Sequence, residues 1–392
     1  MSLMNYDSIV NPVLSSLPPS GIRRFFDMAN EMEDVITLTI GEPDFSTPWH
    51  IRQAGIETLE QGKTWYSPNA GFSQLRQSIS AYIQRRFGIT YDPQHEVVVT
   101  VGGSEAIDLC FRTVLSPGDE VLIPMPSFVC YAPLTTMAGG VPVPLVTRAE
   151  DGFRLTAEAV RKAITPRTKL LVLPFPNNPT GAVLRRKHLE EIADVLRGTS
   201  ILVLSDEIYG ELTYGKERHV SFASIPGMQE RTLLVNGFSK SYAMTGWRLG
   251  YACGPAPILS QMLKLHQYGI MCAPTTAQYA AIEAMQNGDD DVEQMRGEYD
   301  TRRCFITDAL NRMGLTCFEP EGAFYVFPSI AITGLSSEEF CDRLLHEQRV
   351  AVVPGTAFGA CGEGFVRISY CYSLKHIRQA MQRLEEFLRQ FR

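Results

Sequence analysis

Between residues 96 and 238 the chain alternates short apolar runs with amphipathic stretches. The runs are EVVVTVG (96–102), EVLIPM (120–125), VPVPLV (141–146), KLLVLPF (169–175), ILVLSDE (201–207) and TLLVNGF (232–238). They are rich in β-branched residues and nearly continuous rather than alternating, the pattern of strands buried on both faces. Helical periodicity fills the intervals, as at 104–115 and 187–197. Strand alternating with helix predicts a mostly parallel sheet covered by helices on both faces. A seventh run, RLGYACG (248–254), follows the previous strand by only about a dozen residues, with no helical pattern between. A parallel crossover needs at least that length and usually a helix. This run is therefore predicted to be the one antiparallel strand of a seven-stranded sheet.

After Pro274 the pattern changes. TTAQYAAIEAMQNG reads as a helix ending at Gly288, and a long helix opens at DDDVEQM. Val292, Met295, Tyr299, Ile306, Leu310 and Met313 fall on one face of it. Aspartates at its start and arginines later suit the helix dipole. Short strand patterns follow (AFYVFPSI, AVVPG, GFVRISYC), with two more helices. The predicted organisation is α/β: a large domain over 49–288, and a smaller α+β domain made of 1–48 together with 289–392.

Composition narrows the function classes. With 45% hydrophobic and 20% charged residues the chain has an ordinary globular makeup, and a formal net charge of −7 gives no basic footprint for nucleic acid. The nine cysteines are scattered without a C-x-x-C pair. That pattern supports neither a disulfide framework nor a zinc site and suits a reducing cytoplasm. The first residues lack the apolar core of a signal peptide, and no apolar run approaches the ~18 residues of a membrane span.

Ligands of open parallel sheets bind beyond the carboxyl ends of the strands. Five consecutive strand ends here supply Gly102-Gly103-Ser104-Glu105, then Phe128, then Asn177 and Asn178, then Asp206 with Tyr209, then Ser239 and Lys240. An anion cradle, an aromatic, an amide, a carboxylate with a phenol, and a lysine would all be used by one ligand: pyridoxal phosphate. Each residue also has an ordinary reading. Asp206 could cap a helix, Asn178 precedes a proline in a turn, Phe128 and Tyr66 could be packing residues, and Arg367 could sit in a structural ion pair.

Taken together, the stretches IGEPDFSTP (40–48), YSPNAGFSQLRQSI (66–79), VGGSEAI (101–107), NNPTGAV (177–183), SDEIYGEL (205–212), FSKSYAMTGWRLGY (238–251), EGAFYVFP (321–328) and FVRISY (365–370) resemble the fold-type I, class I/II aminotransferases. The similarity runs over nearly the whole length and leans toward the prokaryotic aspartate/aromatic subgroup. The resemblance implies that Lys240 is the lysine linked to the cofactor aldehyde and Asp206 the partner of its ring nitrogen. Asn178 and Tyr209 donate to its phenolic oxygen, and Phe128 stacks on its ring. The backbone of Gly103, Ser104 and Glu105, with Ser239 and Arg248, holds its phosphate. Tyr66 reaches the phosphate of a neighbouring subunit, implying a homodimer with shared sites. Arg367, with Gly41 and Asn178, receives the substrate α-carboxylate. Many relatives carry a hydroxyl three residues before the lysine; here that position is Gly237.

The implied reaction is transamination in two half-reactions. An amino acid displaces Lys240, whose freed amine moves a proton from the substrate Cα, and a 2-oxo acid such as 2-oxoglutarate reverses the sequence. β-Lyase or decarboxylase chemistry is the alternative on the same residues, and a non-catalytic cofactor-binding regulator the remote one. Ser104 stands where some aspartate-preferring relatives place a lysine, which favours an aromatic or bulky apolar donor over aspartate. The segment PPSGIRRFFDMA (18–29) reads equally as a mobile lid or a static helix.

Overall fold

The computed structural model describes residues 9–19 and 21–391. Its strands run in chain order β1 Ile36–Thr37, β2 Val97–Thr100, β3 Glu120–Met125, β4 Val141–Val146, β5 Thr168–Leu173, β6 Leu202–Asp206, β7 Thr232–Gly237, β8 Gly250–Cys253, β9 Tyr325–Val326, β10 Val350–Ala351, β11 Val353–Pro354 and β12 Val366–Ser369. Seven of them form one sheet in the order β2-β8-β7-β6-β5-β3-β4. β8 runs antiparallel to both its neighbours, with Val99 opposite Tyr251 and Val235 opposite Ala252. The β3–β4, β3–β5, β5–β6 and β6–β7 pairs are parallel. The antiparallel strand is the one the short connection predicts.

One strand departs from the sequence reading. β4 is not buried on both faces: it is the sheet edge, Val141 and Val146 are exposed, and Leu145 alone is buried. Pro142 and Pro144 lack the N–H that a further strand would need, so they suit an edge. The other strands of the sheet have apolar cores against helices on both sides. Leu171 and Val203 pack with the helix Arg186–Leu196, and Val121, Leu204 and Val235 with the helices Gly102–Val114 and Ala256–Gly269.

The C-terminal third builds around a three-stranded sheet, β11-β12-β9, and the helices Asp289–Arg312, Ser337–Gln348 and Leu374–Leu388. Met295, Tyr299, Ile306 and Leu310 face this core, and Phe25, Ile36 and Leu38 from the N-terminal segment join the same cluster. β1 pairs in parallel with β10, Ile36 opposite Val350. Of the segment 18–29, Ser20 and the side chains of 22–24 and 26 lie outside the described residues. The helix Gly21–Asn30 is docked, with Ala29 packed on Leu345 and Ala351. Among the described residues no helix is long and apolar enough to cross a membrane.

Candidate active site

The parallel strands end at a cavity of about 560 Å³. It is lined by Gly103 and Ser104 after β2, Phe128 after β3, Asn178 after β5, Asp206 and Tyr209 at the end of β6, and Ser239 and Lys240 after β7. Arg248 before β8, Gly41 after β1 and Arg367 on β12 complete the lining. Two more residues belong to the sequence's grouping, Glu105 by its backbone amide alone and Tyr66 toward the phosphate of a neighbouring subunit. The Glu105 side chain turns away from the cavity, accepting from the Val101 N–H and meeting His266 Nδ1 at 2.7 Å. Tyr66 is 77% exposed on an outer face.

Lys240 follows β7 and stands half-buried in the cavity wall, where its Nζ donates to the Gly41 carbonyl at 2.6 Å. Burial lowers the amine from the ordinary 10.5 to about 8. Cys371 and Glu42 pull the other way, and Arg367 and Arg248 add smaller pushes in the direction of burial. Gly41 is glycine for a steric reason: a Cβ there would fall 1.7 Å from Tyr325 Oη. Tyr325 Oη in turn lies 2.8 Å from Tyr209 Oη, so the two phenols form one buried hydrogen-bonded pair.

Asp206 ends β6, and turns rather than a helix follow it, so it does not cap a helix. Its Oδ1 accepts from the Ile208 N–H at 3.2 Å and its Oδ2 from Tyr131 Oη at 2.7 Å. Burial raises this carboxyl, and the two donors oppose the rise. Tyr131→Phe removes one of them and is expected to raise Asp206 further. The acid limb of the pH profile for cofactor binding should then move to higher pH, measurable by titrating apo protein at a series of pH values. An unmoved limb would show that Asp206 does not govern binding.

Arg248 reaches the cavity because the 3₁₀ turn Thr245–Trp247 and its own left-handed φ of 53° fold the chain back. Its Nη1 donates to the Thr245 carbonyl at 3.0 Å, and its Nη2 lies 2.8 Å from where a Cβ on Gly102 would stand. Gly102, with φ +76°, is thus required both by conformation and by this approach. At Gly237 a Cβ would come within 3.1 Å of Gly250 Cα and the Leu249 carbonyl. A side chain at this position would therefore need the β7–β8 pairing to give by a few tenths of an ångström.

Arg367 is 2% exposed. Nη1 donates to Asn178 Oδ1 at 3.0 Å, Nη2 donates to the Thr39 carbonyl, and Nε has no partner. The guanidinium lies between the rings of Tyr325 (4.6 Å) and Phe358 (4.8 Å). Among the described residues no carboxylate pairs with it, so it does not sit in a structural ion pair. A buried guanidinium without an internal anion fits an anionic ligand. Because Asn178 Oδ1 is taken by Arg367, the amide Nδ2 is left for a ligand acceptor.

Sequence reasoning missed Tyr131, Tyr325 and Thr39. Tyr325 stands inside a motif already singled out, EGAFYVFP, and Tyr131 three residues after Phe128, but their partners are far away in sequence. A second, mostly apolar chamber of about 830 Å³ opens beside the cavity and shares Ser104, Phe128 and Val129 with it.

This cavity fits pyridoxal phosphate on its own chemistry. It holds a buried, partly neutral lysine, a buried carboxylate held toward ionisation by two donors, and a helix start opposite an arginine. Comparison with known proteins agrees. Residues 33–384 match the family model described as aminotransferase class I and II. The chain is 47% identical to the aspartate aminotransferase of Pyrococcus abyssi, covering 96% of this chain and 97% of that one. It is 45% identical to aromatic-amino-acid aminotransferase 2 of Thermococcus litoralis, with the same coverage of 96% and 97%. The crystal structure of an aromatic aminotransferase from Pyrococcus horikoshii superposes with a TM-score of 0.89 at 46% identity, covering 93% of this chain and 99% of that one.

Proposed function

The chain belongs to the class I and II aminotransferases and is a pyridoxal-phosphate-dependent aminotransferase, and from that premise we propose that its amino donor carries an aromatic or bulky apolar side chain, with 2-oxoglutarate as an acceptor. The apolar side chamber is the observation that carries this reading. Ile123, Met125, Leu134, Met137 and Phe25 line it, and its described lining contains Glu338 but no lysine or arginine. A distal carboxylate would meet no cation among those residues, whereas an apolar side chain entering past Phe128 and Val129 would be desolvated there. Relatives named for aspartate supply the second reading. A panel of amino donors with 2-oxoglutarate decides: kcat/KM for phenylalanine, tyrosine or leucine is expected to exceed that for aspartate by at least ~10-fold. Aspartate as the best donor would sink the proposal.

The cofactor, when bound, supplies an electron sink for the carbanion at the donor Cα. The protein's residues do the rest. Lys240 holds the cofactor at rest, and its amine, brought to about 8 by burial, is partly neutral near pH 7 and able to take the Cα proton. Asp206, kept toward ionisation by Tyr131, would pair with the ring nitrogen. Tyr209 and the Asn178 amide would donate to the phenolic oxygen, and Phe128 would cover the ring. The first turn of the helix Gly102–Val114 offers its N–H groups to the phosphate, with Ser239 and Arg248. Arg367 receives the donor α-carboxylate, and the Gly41 backbone borders the same space.

The same proposal includes a division into a large domain over 49–288 and a small one of 1–48 with 289–392. It also includes a cytoplasmic homodimer. Support for the dimer is a set of exposed aromatic residues, Trp49 (60%), Trp65 (59%), Tyr66 (77%) and Tyr268 (89%). In the proposed dimer Tyr66 would reach the phosphate site of a second copy.

A further inference from the structure

The first turn of the helix Gly102–Val114 carries an acidic side chain, Glu105, at the end where the phosphate is to bind. Glu105 Oε2 accepts from the Val101 N–H, which caps the turn, and Oε1 meets Nδ1 of His266 at 2.7 Å. His266, on the helix Ala256–Gly269, is wholly buried, and its Nε2 has no partner among the described residues. The histidine is spent on this one carboxylate, 161 residues away in sequence.

We propose that His266 is a positioning residue for the phosphate end of the cofactor, acting through Glu105; the inference rests on the phosphate site assigned above. A carboxylate in a first helical turn competes with a bound anion for the positive end of the helix. Donation from His266 Nδ1 draws the Glu105 charge outward and holds the carboxylate where its other oxygen caps Val101. Without the histidine, Glu105 loses its partner and stands free to turn toward the phosphate. His266 also closes its own helix: its carbonyl accepts from the N–H groups of Ile270 and Met271. The Met271 carbonyl in turn accepts from Asn69 at 2.8 Å. The phosphate turn and the segment bearing Trp65 and Tyr66 are thereby tied to one helix end.

The test is the dissociation constant of pyridoxal phosphate for the full-length apo protein, read by fluorescence, with inorganic phosphate as competitor. His266→Leu is expected to weaken binding at least ~10-fold and to weaken phosphate competition with it. His266→Asn, whose amide nitrogen can take the place of Nδ1, should stay within about 3-fold of the parent. Glu105→Gln added to His266→Leu should restore affinity, because the amide still caps Val101 but carries no charge. An unchanged constant in His266→Leu, or no recovery in the double variant, overturns the proposal. Should His266→Leu not fold by circular dichroism, His266→Met, which likewise lacks a donor, carries the same comparison with and without Glu105→Gln. Arg248→Met separates the two readings. If it too leaves binding unchanged, the phosphate assignment itself fails; if it weakens binding while His266→Leu does not, only the role of His266 falls.

Discussion

Lys240→Ala is expected to abolish turnover, lowering kcat by at least ~10⁴, and to remove the visible absorption of lysine-linked cofactor. Among the described residues Lys240 is the only lysine that lines the cavity, so no second amine among them stands ready to replace it. The sign of its titration gives a further check on the parent protein. Burial lowers the folded-state amine to about 8, and only the neutral amine attacks an aldehyde. The rate at which apo protein captures pyridoxal phosphate should therefore rise with pH through about 8 and level off above it. The same shift bears on stability. The unfolded chain holds this proton more tightly than the folded one, so the folded protein loses stability as pH falls from 10.5 toward 8. The apo Ala variant should lack that loss, which urea titrations at a series of pH values would show. A variant that still captures the aldehyde covalently would remove Lys240 from the centre of the site.

The sheet was legible because burial on both faces leaves a mark in sequence: a run such as KLLVLPF has no polar register. The same rule misplaced β4, since VPVPLV is as apolar as its neighbours although Leu145 alone is buried. Its prolines were the signal that an edge was coming. At the site, residues directly following a strand were legible, because a parallel sheet gathers its strand ends by construction. What was not legible were pairs that only the tertiary fold creates. Tyr131 meets Asp206 across 75 positions, Tyr209 meets Tyr325 across 116, and Glu105 meets His266 across 161. Gly237 belongs to the same class. The missing hydroxyl could be seen in the sequence, but the approach of Gly250 and Leu249 across the β7–β8 pair could not.

Arg367→Leu should separate the needs of the site from those of the fold. The guanidinium is buried, lacks a carboxylate partner among the described residues, and is met only by Asn178, the Thr39 carbonyl and two aromatic rings. Burial of the charge pulls its own titration down, the mark of a cation held at a cost. Leucine removes that cost while keeping an apolar side chain against Tyr325 and Phe358. The apo variant is therefore expected to melt at or above the temperature of the parent. Activity should go the other way. Losing a forked, charge-assisted contact to the donor carboxylate, and with it the hold on Asn178 Oδ1, is expected to lower kcat/KM by roughly 10²–10³, or about 3–4 kcal/mol. Arg367→Lys, which restores charge without the fork, should recover only part of that loss. Thermal melts of the apo proteins with and without a carboxylate substrate analogue provide the readout: the parent is stabilised by the analogue and the Leu variant is not. A Leu variant that is markedly less stable, or that keeps its response to the analogue, would make Arg367 a structural residue and leave the α-carboxylate to another partner.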